Sequence, residues 1–187
     1  MTTIRAFIAI HLPPEVQAAL GQVAATLDEG FPHGAVRWVR PELMHLTLRF
    51  LGDTDVGKLP AVSEAMDAAT AGRAQFSLTL DGLGCFPNPR RPRVVWAGLG
   101  GDTAQLLALK AALDAQLAAL SWPLEDKPFR AHLTLGRVKD ERTAQSLSLT
   151  VPLPQLAVPV AAIYLMESQL RPDGPIYTVR HSLALGG

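Results

Sequence analysis

Residues 4–10, "IRAFIAI", form a β-branched and aromatic run that "HLPPE" then stops. Such a run predicts a strand, and prolines at its end open a helix. Val16, Leu20, Val23 and Leu27 follow at spacings of four, three and four, one face of that helix. Strands are predicted at 35–39, "AVRWV", and at 44–51, "MHLTLRFL", with the turn-forming Arg40-Pro41-Glu42 between them. Leu59, Val62, Met66 and Ala69 align on a second helix, and strands at 75–81 and 93–98 flank a loop rich in Gly, Pro and Arg. A third helix carries the stripe Leu106, Leu109, Leu113, Leu117 and Leu120, with Asp102 placed to cap it. A strand at 131–138 comes next, then "VPLPQLAVPV", which reads as broken by its prolines, an apolar run at 160–166 and a last strand at about 175–183. Strands thus come in consecutive groups between helices. That order favours antiparallel sheets with helices on one face, an α+β fold, over a doubly wound parallel sheet. No linker or low-complexity tract divides the chain, so one domain over 1–187 is expected.

Composition narrows the partners more than the fold. Seventeen basic residues balance seventeen acidic ones, so no global field gathers polyanions and any nucleic acid must be held by a local site. The single Cys85 rules out an internal disulfide and a Cys-rich zinc set, as suits a reducing cytosol. The apolar stretch at the start is too short for a signal-peptide core, and no run reaches the ~18 apolar residues of a membrane span. A cytoplasmic protein off the membrane is expected.

The candidate chemistry lies in a repeated word. Residues 45–50 read "HLTLRF" and residues 132–137 read "HLTLGR". Strand alternation puts His45, Thr47 and Arg49 on one face and Met44, Leu46, Leu48 and Phe50 on the other. In the second copy His132 and Thr134 share a face with Arg130, opposite Ala131, Leu133 and Leu135. His and Thr two residues apart stand roughly 6.5–7 Å from each other along the backbone, so imidazole and hydroxyl can converge on one tetrahedral anion. Two such strands facing across a cleft would set two imidazoles on opposite sides of one phosphate. In-line displacement at phosphorus needs that pair, one group taking a proton from the nucleophile and the other giving one to the leaving oxygen. Histidine titrates near neutrality and can do either. Thr47, Thr134 and Arg130 would steady the charge on the non-bridging oxygens. Against this stands an ordinary reading: one His on an amphipathic strand is usually a half-buried or surface residue, and a Leu-rich chain can repeat a tetrapeptide by chance. Recurrence of both His and Thr in one face pattern weighs against chance.

Other candidates are weaker. Arg90, Arg91 and Arg93 in "PNPRRPR" either hold an RNA backbone or are solvated turn chemistry. His11, His33 and His181 have no repeated context and read as structural or surface residues. No His-x-x-x-His or His-Glu-x-x-His spacing occurs, so no metal site is expected. "GLGGD" at 98–102 lacks the dinucleotide fingerprint and the P-loop lysine, and reads as a turn with an Asp cap.

The paired His-x-Thr motif resembles that of the two-histidine phosphoesterase superfamily. Within it, "RAFIAIHLPPE", "VRWVRPELMHLTLRFLG", "CFPNPRRPRVVWAG", "KPFRAHLTLGRV" and "QLRPDGPIYTV" are similar to the bacterial and archaeal RNA 2′,3′-cyclic phosphodiesterases, also called 2′-5′ RNA ligases. The resemblance implies a bilobal, pseudo-symmetric α+β fold of two mainly antiparallel sheets, helices on their outer faces and the two motifs lining a central cleft. It implies an enzyme that opens RNA 2′,3′-cyclic phosphates to 2′-phosphomonoesters without metal or cofactor, with reversible 2′-5′ joining of RNA ends as a side activity; a monomer is expected. It implies His45 as the acid that protonates O3′, His132 as the base that activates water, and Phe50 and Arg137 as a sandwich for the terminal base. Strict alternation puts Phe50 and Arg137 on the wrong face, so that sandwich requires each strand to end or bulge first. Alternatives are a non-catalytic module that binds RNA ends or nucleotides, which the two intact histidines disfavour, and a phosphodiesterase for another cyclic or 2′-5′-linked nucleotide.

Overall fold

A computed structural model describes residues 2–139, 149–172 and 174–186. The elements run β1 (Thr3–His11), α1 (Pro14–Glu29), β2 (Val36–Trp38), β3 (His45–Asp55), α2 (Leu59–Thr70), β4 (Phe76–Phe86), β5 (Val94–Gly101), α3 (Thr103–Ala119), β6 (His132–Val138), β7 (Ala157–Val160), β8 (Ala162–Gln169) and β9 (Ile176–Ala184). The fold is α+β, and every described strand pairing is antiparallel.

The strand order is β7-β4-β5-β6-β3-β1-β8-β9, with β2 added beside β6. Two halves are evident. One is β9-β8-β1-β3 and the other is β7-β4-β5-β6, and in each the innermost strand carries one copy of the repeated motif. The halves are not separate sheets: β3 and β6 pair through Leu46 and Leu133. In both halves a strand, a helix and an antiparallel return strand follow the same path, β1-α1-β3 and β5-α3-β6.

All three helices lie on one face of this sheet. The predicted stripes Val16, Leu20, Val23, Leu27 and Leu106, Leu109, Leu113, Leu117 are buried there with Val62 and Met66, against Ile8, Ile10, Leu46, Leu48, Leu133 and Leu135 from the strands. Removing this apolar surface from water is the main drive for the fold. A small second cluster, Phe7, Ala9 and Met166 with Tyr164 and Tyr177, lies on the other face, which no described helix covers.

Three details differ from the sequence reading. The proline-broken stretch contains β7, whose Val158 and Val160 point into the core. Pro159 is tolerated because β7 ends the described sheet, where one side of the strand has no ladder to complete. The 40–43 turn is a 3-10 turn over Pro41–Leu43. Asp102 stands just before α3, but its carboxylate accepts the Ser77 backbone N–H of β4 at 3.2 Å instead of capping its own helix.

Candidate active site

The two motif strands meet at their centre. Leu46 and Leu133 are cross-strand partners. Carried one residue either way, that antiparallel register sets His45 against Thr134 and Thr47 against His132. All four share the face opposite the buried leucines, and all four are half-buried.

One residue later both strands break alternation. Ala9 pairs with Thr47 and Ile8 with Arg49, so Leu48 is an extra residue in β3. Trp96 pairs with Thr134 and Val95 with Gly136, so Leu135 is the extra residue in β6. A bulge reverses the faces of the residues beyond it. The two hexapeptides therefore share one burial pattern, half-buried, buried, half-buried, buried, buried, exposed. This corrects the alternation reading at two positions of the first copy. Arg49 is on the core side, 3% exposed, bonded to Asp114, and does not share the face of His45. Phe50 is 55% exposed on the open face, its ring 6.0 Å from Phe7. Arg137, after the second bulge, is exposed as well.

Each imidazole is held the same way. His45 Nδ1 lies 2.8 Å from the carbonyl oxygen of Leu43, and His132 Nδ1 lies 2.7 Å from that of Arg130. A carbonyl only accepts, so Nδ1 is the N–H in both rings and Nε2 is left to exchange a proton. Arg130 lies exposed in the coil before β6, and its tie to the site is this backbone carbonyl. The Leu43 turn is fixed by α1. Gly21 admits Pro41 so closely that a Cβ would meet Pro41 Cγ at 2.7 Å, and Gln17 Nε2 donates to Met44 O at 3.3 Å.

The walls differ. His45 has Phe7 at 5.0 Å and the edge of Tyr177 at 5.3 Å between ring centres, whereas His132 has the edge of Phe86 at 4.9 Å and Trp96 at 6.5 Å. Burial pushes the His45 pKa down, the Leu43 carbonyl opposes this, and the charge of His11 adds to the lowering. The Tyr177 hydroxyl is raised by burial, against the pull of Arg137 and Arg5.

His11 and Tyr177 are what the sequence reading missed. His11 is the cross-strand partner of His45, and its ring stacks on Tyr164 at 3.9 Å with 5° between the planes. Burial lowers its pKa too. Its alternation with Phe7 and Ala9 was visible in the sequence, but the pairing of β1 with β3 was not. His181 lies elsewhere, 3.4 Å from Asp67 of α2, and His33 is exposed in the loop before β2. Arg90, Arg91 and Arg93 are exposed in the β4–β5 loop, where Asn88 Oδ1 accepts the backbone N–H groups of Arg90 and Arg91. Among the described residues no three His, Cys, Asp or Glu side chains gather as a metal site would require, and no helix is long and apolar enough to cross a membrane.

A curled antiparallel sheet with helices on one face and two His-x-Thr strands meeting on the other defines a phosphoesterase class. The chain belongs to the LigT-like phosphoesterase family, whose sequence profile matches residues 10–96 and 101–177. It is 35% identical over 186 residues to an RNA 2′,3′-cyclic phosphodiesterase of Thermotoga maritima, covering 98% of this chain and 97% of that one. It is 34% identical over 179 residues to an RNA 2′,3′-cyclic phosphodiesterase of Methanothermobacter thermautotrophicus, covering 94% and 95%. Among solved structures, E. coli LigT complexed with 3′-AMP superimposes with a TM-score of 0.81 at 31% identity, covering 100% of both chains. A Thermus thermophilus protein does so with 0.80 at 34%, covering 97% of both.

Proposed function

We propose that this protein hydrolyses 2′,3′-cyclic phosphates at RNA ends or on nucleotides, leaving a 2′-phosphomonoester and a free 3′-hydroxyl. The carrying observation is that two imidazoles, each holding its Nδ1–H on the carbonyl two residues earlier, stand beside two threonines where β3 meets β6. His132 Nε2 takes a proton from water as its oxygen bonds to phosphorus. The P–O3′ bond breaks on the opposite side, and His45 Nε2–H gives its proton to O3′. Thr47 and Thr134 donate to the non-bridging oxygens, with Arg130 adding positive charge. An acid needs its proton, and the free His45 holds it weakly. The anionic substrate raises the pKa of an adjacent imidazole and so loads His45 on binding. Phe50 and Arg137, brought to the open face by the bulges, take the two sides of the terminal base. An RNA 5′-hydroxyl in place of water would be activated the same way and give a 2′-5′ bond. The working protein is a cytoplasmic monomer without metal.

The test is incubation with a 2′,3′-cyclic nucleotide, with and without a chelator, and identification of the product by phosphorus NMR. The expected product is the 2′-phosphate in both arms. A 3′-phosphate product, or activity lost to the chelator, would overturn the mechanism.

A further inference from the structure

The turn that presents the carbonyl orienting His45 is held by α1, through Gln17 and the close packing of Gly21 on Pro41. The carbonyl that orients His132 belongs to the coil Leu120–Ala131, which leads from α3 into β6 and has no helix or strand of its own. Its grip comes largely from the first motif strand. Trp122 Nε1 donates to Leu51 O at 3.2 Å. Arg49 Nη2 donates to Pro123 O, and Arg49 Nη1 lies 3.5 Å from the Glu125 carboxylate. Lys110 of α3 reaches the same carboxylate at 3.1 Å and stands 5.5 Å from the Phe129 ring centre. Asp114 closes the group, accepting from Arg49 at 3.2 Å and from Lys110 at 2.6 Å. Arg49 and Lys110 are both buried.

Stability alone accounts poorly for this arrangement. Two buried cations with two carboxylates are no more stabilising than well-packed apolar groups of similar volume. Arg49 Nε, moreover, is buried without a hydrogen-bond partner among the described residues. What a charged, forked group does supply is a fixed geometry between three elements. The direct ladder between the motif strands has a single register pair, Leu46 with Leu133.

We propose that the Arg49–Asp114–Lys110–Glu125 cluster positions the second histidine relative to the first, by fixing the coil that presents the Arg130 carbonyl to His132. Arg49, two residues beyond Thr47, ties the first motif to the approach of the second. These are positioning residues acting through the backbone, and they touch no substrate. The kinetic side of the inference rests on the proposed hydrolysis.

The test compares wild type with two variants. One replaces the cluster by Arg49→Met, Lys110→Met, Asp114→Leu and Glu125→Gln together. The other is Glu125→Gln alone, whose partly exposed side chain leaves folding least disturbed. Each is assayed for kcat and KM on a 2′,3′-cyclic nucleotide, for thermal midpoint, and by nitrogen NMR of the His132 ring with His45 as internal reference. The fourfold variant is expected to keep a thermal midpoint near wild type while kcat falls about 10- to 100-fold, as a misplacement on the order of 1 Å produces, with KM changed less. The His132 ring signals shift and those of His45 do not. Glu125→Gln shows the same signature in smaller measure and decides the matter if the fourfold variant does not fold. A folded variant with wild-type kcat and unmoved His132 signals would overturn the proposal. If wild type lacks the hydrolytic activity, that reading fails while the NMR comparison still tests the positioning.

Discussion

The two copies of the motif differ at their fifth and sixth positions, and the fifth shows what each half of the sheet needs. In the first copy Arg49 reaches across the core side to α3 and the coil before β6. In the second copy the same inward position is Gly136, because the side chains of the neighbouring strand β2 fill the space there: a Cβ would meet Val36 Cγ1 at 2.6 Å and Trp38 Cε3 at 2.8 Å. One site demands a long cation and the other demands no side chain. The backbone is doubled and the surroundings are not. The partners of the histidines show the same split. Across the ladder His45 faces His11, whereas His132 faces Gly98.

The largest expected effect tests where the halves are alike. His45→Ala and His132→Ala should each lower kcat/KM by about 10²–10⁴-fold, the range of one general acid or base, with the circular-dichroism spectrum unchanged. Loss in only one variant would end the two-imidazole account. At the fifth position, Arg49→Gly leaves carboxylates short of a buried partner and should cost about 3–5 kcal/mol in urea unfolding. Gly136→Ala, an overpacking, should cost about 1–3 kcal/mol in the same measurement. Equal tolerance of both changes would mean that the two inward positions are interchangeable after all.

At the sixth position, Phe50→Ala and Arg137→Ala should each remove about 1–3 kcal/mol of base stacking. Steady-state kinetics would register this as a rise in KM with kcat little changed; a change confined to kcat would take these residues out of base binding. The smallest effect concerns His11. Replacing it by Phe keeps a ring on Tyr164 and removes one of the causes that lower the His45 pKa, so that pKa rises towards the ordinary 6.5. Activity that depends on protonated His45 then persists to higher pH, which a pH–rate profile and proton NMR titration can follow. Since burial holds both His11 and His45 below 6.5, their contribution to stability is complete above that value and is lost as pH falls below it. No movement of the His45 titration in His11→Phe would sever the coupling.

Much of this was legible in the chain. The helix stripes were written as apolar residues at helical spacing, and all three helices bury them except at Leu59, which is half-buried, and Leu120, which is half-buried just past the end of α3. The alternation around His45-Leu46-Thr47 and His132-Leu133-Thr134 held for as long as each strand stayed regular, because a strand's side-chain period is a local property of its backbone. The motif therefore placed the His and Thr of each copy on one face of its own strand, and the pairing of β3 with β6 brought the two pairs to the same face of the sheet.

The bulges at Leu48 and Leu135 could not be read this way. An extra residue is defined only against a partner strand, and β3 and β6 return to β1 and β5 only after a helix has intervened. It was that long-range pairing that turned Arg49 inward, brought Phe50 and Arg137 outward and set His11 beside His45. Pattern along the chain determined which residues alternate and which helices form. Which strand lies next to which, and by how many residues they slip, was decided by burial and hydrogen bonding between distant segments, and the asymmetric surroundings of the two matching histidines follow from that.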